Sequence, residues 1–248
     1  MTLGISRPTG GVMEIKLNEN LDWEALGREF QVSKRIQIRD ILKEECAERI
    51  LQCLAQEVPW RFVYYDGENP VQLTVDELKA KSQPELQSIH DGILARARSG
   101  YQYAYHTYPM VEGYLNKKDP GLYLHKVFEF INSEPYLDFI RTVTGVPEIR
   151  KGNAHAACYN PTQFLGRHND YPPNEGWHAA CVLNFTKGWK PDWGGFMQFY
   201  DNDFNIDLAL MPRFNVLNMF VAPQEHSVSY VAPFAGTPRY TVTTFFQE

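Results

Sequence analysis

The 248-residue chain has no run of lysines or arginines, and its formal charge is −6 with a pI near 5.7. A general nucleic-acid binder presents a basic stripe to phosphates, so that class is excluded, and adhesion to an anionic membrane goes with it. No segment approaches the roughly 18 consecutive apolar residues of a spanning helix. The opening MTLGISRPTGG lacks the apolar stretch of a secretory signal. Cysteine is sparse: Cys46, Cys53, Cys158 and Cys181 form no CxxC pair. They suit neither a disulfide framework nor a zinc site, and they read as free buried thiols of a soluble, cytoplasmic protein. Internal repeats and low-complexity stretches are also missing. What is present is a folding composition, 44% hydrophobic and 14% aromatic. A chain of this size buries about 70–75% of its unfolded surface without staples.

Residues 1–147 read as a helical region. Asp40 is placed to cap a helix in which Ile41, Leu42, Cys46, Ala47, Ile50, Leu51 and Leu54 recur at helical spacing before Pro59. Thr74 and Glu77 form a capping-box pattern, predicting a helix to about Arg98 with a break near Pro84. Segments 120–131 and 134–144 predict two more, the second capped by Ser133 and stopped by Gly145. From Glu148 the period falls to two. Strands are predicted at 153–159, 163–168, 178–186, 195–200, 205–210, 214–221, 226–232 and 239–246. The expected fold is mainly β with a helical N-terminal part (α+β), a sandwich or a cupin-like jelly roll with supporting helices packed outside. No linker separates 1–147 from 148–248, so the helical region should pack on the core rather than fold alone.

His168 and Asp170 are two residues apart, and alternation along a strand would aim both side chains the same way. His226 lies 58 residues on, after the apolar strand 214–221. Two imidazoles and one carboxylate can occupy one face of an octahedral Fe(II) ion, leaving three positions open. Zinc would ask for more nitrogen or sulfur donors and calcium for more oxygens. Arg239 opens the last strand, and alternation sets it on one face with Thr241, Thr243 and Phe245. A guanidinium in a β core is costly without a carboxylate, and no acidic residue is near in sequence. A bound dicarboxylate such as 2-oxoglutarate would meet Arg239 with one end and the metal with the other.

These residues, in this order, resemble the Fe(II)/2-oxoglutarate-dependent dioxygenases, and more narrowly their prolyl 4-hydroxylase-like branch. Segments 157–159, 181–185, 193–198 and 212–217 extend the resemblance, which covers residues 154–247. It implies a double-stranded β-helix with Fe(II) held by His168, Asp170 and His226, and 2-oxoglutarate anchored by Arg239. It also implies Tyr159, Thr243 and Asn184 as further 2-oxoglutarate contacts, O2 as co-substrate and ascorbate as an optional reductant. The reaction implied is C–H hydroxylation with release of succinate and CO2, on a prolyl residue of a peptide or protein. The sequence departs from the oxygen-sensing members by a longer turn between His226 and Arg239. Arg in place of Lys at the anchor sets it apart from the collagen-type enzymes.

Other readings stay open at this stage. A free amino acid or other small metabolite is a second substrate class, with Arg167 and Arg213 as carboxylate partners. A cupin-type metalloenzyme that does without 2-oxoglutarate would need neither Arg239 nor Thr243, and a metal-free interaction module would need none of the set. Trp177 and Phe245 are candidates to pack on a prolyl ring at the mouth. Segment 171–177 would be a lid or a long turn. His90, His106, His125, His155 and His178 are expected to be structural or superficial. The helical region has no identifiable chemistry, and supporting the sheet or forming a homodimer contact are its two expected roles.

Overall fold

The computed structural model describes residues 14–170 and 176–248. Seven helices and twelve strands follow one another along the described chain. Helix α1 (Trp23–Ser33) is capped by the Asp22 side chain, which accepts from the Ala25 N–H. Strand β1 (Arg35–Arg39) buries Ile36 and Ile38. Helix α2 (Glu44–Gln56) then buries Cys46, Ala47, Ile50, Cys53 and Leu54 on one face. Strands β2 (Arg61–Tyr65) and β3 (Pro70–Thr74) form a hairpin. Helices α3 (Val75–Ala80) and α4 (Gln83–Ala97) precede β4 (Tyr103–Tyr108), and α5 (Met110–Leu115), α6 (Leu124–Ile131) and α7 (Glu134–Thr144) complete the helical set. The remaining strands are β5 (Lys151–Tyr159), β6 (Phe164–His168), β7 (Trp177–Phe185), β8 (Met197–Tyr200), β9 (Ile206–Leu210), β10 (Phe214–Val221), β11 (His226–Val228) and β12 (Arg239–Gln247).

Several local expectations need correcting. Residues 74–98 form two helices, because Ser82 and Glu85 make a second capping box that restarts the chain at Gln83. Pro84 sits in that new first turn, where a missing N–H costs nothing. Asp40 adopts a left-handed φ of 50° beyond β1 and caps nothing, and α2 starts at Glu44. Ser133 holds the N-cap position of α7, but its hydroxyl donates to the Phe130 carbonyl instead. Gly145 does end α7, with φ 70°. The larger correction concerns residues 1–147, which also supply four strands.

The strands join in one antiparallel sheet that curls on itself, in the order β1-β10-β7-β12-β5-β4-β6-β11-β8-β9, with β2 and β3 branching from β4. β12 lies between β5 and β7 along nearly its whole length. Strand β4, from the region expected to be helical, carries the pairing from β5 across to β6. The main core lies between α1, α2, α6 and α7 on one side and β5, β7, β10 and β12 on the other. Tyr136, Phe139, Leu217, Val242 and Phe246 are fully or almost fully buried there. The alternation of β12 thus turns Val242 and Phe246 toward the helices and Arg239, Thr241, Thr243 and Phe245 inward. At the two open edges, β1 and β9 share no backbone ladder; an Arg35–Asp207 ion pair joins them.

Candidate active site

His168 ends β6 and His226 begins β11, and the two residues are cross-strand partners. Their ring centroids are 4.2 Å apart. Asp170 completes the group by a different device from the one expected. It lies beyond the end of β6 with φ 54°, so a turn rather than strand alternation aims its carboxylate. Its oxygens lie 3.0 Å from His168 Nε2 and 3.1 Å from His226 Nε2. The ligating atoms of all three residues lie within 4.8 Å of one another. Each imidazole is oriented from behind. Nδ1 of His168 faces the Gly166 carbonyl at 2.9 Å, and Nδ1 of His226 faces that of Gln224 at 2.7 Å. This places the proton on Nδ1 and frees both Nε2 atoms for a metal. Burial opposes ionisation of Asp170, yet its hydrogen bonds to His168 and His226 outweigh that and hold its carboxyl far below the usual range. Burial pulls His168 down, and the Asp170 carboxylate more than compensates, leaving its pKa raised. The donor set suits a divalent first-row metal with positions left open.

A cavity of about 220 Å³ runs inward from this group. Its floor is Arg239, only 2% exposed, lying beside Tyr159, its cross-strand neighbour on β5. The guanidinium carbon stands 5.0 Å from the Tyr159 ring centre. Among the described residues Arg239 has no acidic partner, and its Nε and Nη1 are buried without any acceptor. Burial lowers its pKa to about 10, which still leaves a cation at neutral pH. A buried cation without an anion is the observation that fits a ligand carboxylate. Thr241 and Thr243 line the wall between Arg239 and the triad side. Those residues would hold the far carboxylate of 2-oxoglutarate, and the cupin-type alternative leaves Arg239 unexplained.

Two expectations, for Asn184 and for the Arg167 and Arg213 pair, end differently. Asn184 does not line the cavity. It is 1% exposed between β10 and β12, and its Nδ2 turns back to the Val182 carbonyl at 2.9 Å, while Val182 itself takes the lining position. Arg167 is half exposed, pairs with Glu225 at 2.6 Å and stacks on Phe204, and neither it nor Arg213 reaches the cavity. Trp177 and Phe245 do line the mouth, stacked on each other at 4.1 Å and 14°. Of the segment 171–177, residues 171–175 lie outside the described residues. The sequence reading missed the lining role of the polar residues His155, Tyr101 and Tyr105, and of an apolar set that includes Val182 and Phe220. The signal for His155 was available, since it sits four residues before Tyr159 on the same face of one strand. Tyr101 and Tyr105 could be found only once the strand character of β4 was known. A larger hollow of about 960 Å³ between residues 14–23 and helices α6 and α7 contains none of the candidate residues.

Comparison with known proteins agrees with this geometry. Residues 154–247 match the family described as the 2OG-Fe(II) oxygenase superfamily, and they include every candidate residue named above for metal and dicarboxylate. No match was found among curated protein sequences. Among solved structures, a prolyl-4-hydroxylase from Pseudomonas putida aligns over 91% of this chain and 98% of its own, at 15% identity and TM-score 0.56. An oxidoreductase of the 2OG-Fe(II) oxygenase family from Burkholderia pseudomallei covers 94% and 93%, at 12% identity and TM-score 0.58. A prolyl hydroxylase from Trichoplax adhaerens, in complex with a peptide fragment of the hypoxia inducible factor oxygen degradation domain, covers 91% and 88%, at 15% identity and TM-score 0.58. Fold and site together define an Fe(II)- and 2-oxoglutarate-dependent dioxygenase. Residues 154–247 match that superfamily, and the overall fold resembles that of solved prolyl hydroxylases.

Proposed function

We propose that the protein hydroxylates a prolyl residue within a peptide or protein, consuming O2 and 2-oxoglutarate and releasing succinate and CO2. One observation carries the substrate reading. With Asp170 committed to the metal and Arg239 to the co-substrate, no charged side chain is left among the described residues that line the cavity. A free amino acid brings an ammonium and a carboxylate that each need a partner when desolvated. A prolyl residue inside a chain brings neither. The overall likeness to prolyl hydroxylases, one of them bound to a peptide, supports the same reading.

The chain's own contribution is positional. His168, Asp170 and His226 would hold Fe(II) through Nε2 atoms and a carboxylate, with both Nδ1 protons fixed on backbone carbonyls. Arg239 would fix the far carboxylate of 2-oxoglutarate, with Tyr159 and Thr243 beside it, so that the co-substrate lies in one direction. When bound, iron and 2-oxoglutarate supply the oxidising power for C–H hydroxylation. Leu165, Val182, Met197, Phe220 and Val228 line the rest of the cavity and keep water from the reacting atoms.

The test is a succinate-release assay with Fe(II), 2-oxoglutarate and O2, offering blocked prolyl peptides, free amino acids and other metabolites in parallel. The expected product is a peptide heavier by one oxygen atom on its proline. Oxygen gained by a free amino acid or metabolite, with every peptide unchanged, would overturn the prolyl reading and leave the oxygenase assignment standing.

A further inference from the structure

His155 has no role in the scheme above, yet it lies on the cavity wall. It faces Thr243 across the β5–β12 ladder, on the inner side of β5 that also carries Tyr159. Its imidazole makes no hydrogen bond to any described residue, although much of the ring is buried. The contrast with His106 is informative. That histidine is also largely buried, but its Nδ1 is met by Asn160 and Gln163 at 3.1–3.2 Å, as a structural histidine requires. His155 is instead held only by ring contacts. It stacks on Phe245 at 6.2 Å and 26°, and Phe245 is pinned in turn beneath Trp177. Burial lowers the pKa of His155 and keeps the ring neutral, with one N–H donor and one lone pair. An oriented, desolvated and unsatisfied donor–acceptor pair is expensive unless a ligand completes it.

We infer that His155 is a substrate-binding residue, whose imidazole hydrogen-bonds the main-chain amide that follows the oxidised prolyl ring. This rests on the prolyl-peptide reading and adds the group that recognises the backbone. The imidazole N–H can donate to the carbonyl of that amide, or the imidazole lone pair can accept from its N–H, and neither contact brings a charge into a cavity that has none to answer it. The stacked Phe245 and Trp177 fix the ring plane, so the contact would set how far the prolyl ring enters. His155 thereby governs specificity and positioning, while the metal ligands and Arg239 serve the co-substrate.

The experiment takes the acetylated and amidated X-Pro-Z tripeptide that the wild-type enzyme hydroxylates best. His155→Leu should raise the KM for that peptide about tenfold or more. The KM for 2-oxoglutarate and the Fe(II) content should stay unchanged, and succinate should form in excess over hydroxylated peptide. His155→Gln, which restores a donor and an acceptor, should recover most of the loss. A second measurement needs no variant: replacing the amide after proline by a trans-alkene, which removes donor and acceptor without adding a charge, should weaken binding to the wild-type enzyme by a similar factor. A peptide KM within twofold of wild type in His155→Leu would overturn the assignment, as would equal binding of the alkene peptide. A parallel rise in the 2-oxoglutarate KM would overturn it too, by moving His155 to the co-substrate. Failure of every peptide to gain oxygen, with a free metabolite oxidised instead, would sink the reading on which the assignment rests.

Discussion

Arg239 is the residue whose removal separates the competing chemistries. Arg239→Ala leaves a dicarboxylate's far charge unpaired in a buried pocket, which should cost on the order of 3–5 kcal/mol. The apparent KM for 2-oxoglutarate should therefore rise by two or more orders of magnitude, with iron binding nearly intact. An unchanged KM would instead favour a metalloenzyme without 2-oxoglutarate. Asp170→Ala should do the reverse. Two imidazoles alone form too small a donor set, so metal analysis after anaerobic loading should find far less than one Fe(II) per chain. Full retention would show that the carboxylate is not a ligand. Both residues were legible in the sequence because their chemistry is awkward anywhere else: a carboxylate beside a histidine, and a guanidinium on a strand with no acid near. His155 was legible only through Tyr159, four residues on along the same strand face. A lone histidine gains meaning only when the inner face of its strand is known, and a neutral ring leaves no charge to be explained.

Strands and loops show where pattern suffices and where it does not. The strands after residue 148 were readable because apolar and polar residues alternate between turn residues, and β12 shows this most clearly. β1 to β4 were hidden, since five- and six-residue strands wedged between strong helices carry too little pattern to outvote their neighbours. One loop makes a sharp prediction. Gly194 has φ 66°, and a Cβ there would stand 2.1 Å from the Tyr230 carbonyl oxygen. Gly194→Ala should cost about 2 kcal/mol or more, read as a lower denaturant midpoint at unchanged slope. An unchanged midpoint would mean that the Tyr230 segment yields freely. On β4, burial holds the pKa of His106 below its ordinary value, against the raising effect of Gln163. Its folded-state pKa is thus depressed, and the unfolded chain binds the extra proton first. Its contribution to stability is full above about pH 6.5 and falls away as the pH drops toward the folded-state value. His106→Gln should flatten the stability profile below about pH 6.5. A profile of the same slope would place the titration elsewhere.

At the scale of the molecule, the boundary near residue 147 is a change of composition and not a joint. β1 closes one flank of the sheet, β4 bridges its two halves, and the helices supply half of the main core. A fragment of residues 148–248 should show no cooperative thermal unfolding, because Phe246, Val242 and Leu217 would lose their cover; a sharp transition would contradict this. The Arg35–Asp207 tie between β1 and β9 has a consequence of its own. Everywhere else neighbouring strands are laced by backbone, but here the barrel has a seam, fastened by Arg35 to Asp207 and by Arg35 lying 5.2 Å over Phe199. Phe199 is also the floor beneath His226 and packs edge-on against Phe220. A seam fastened by charge loosens in salt. In concentrated salt, hydrogen exchange should quicken first along β9 and β8, and the iron should leak from the end held by His226, so that a surface clasp on the far flank sets how long the catalyst keeps its metal.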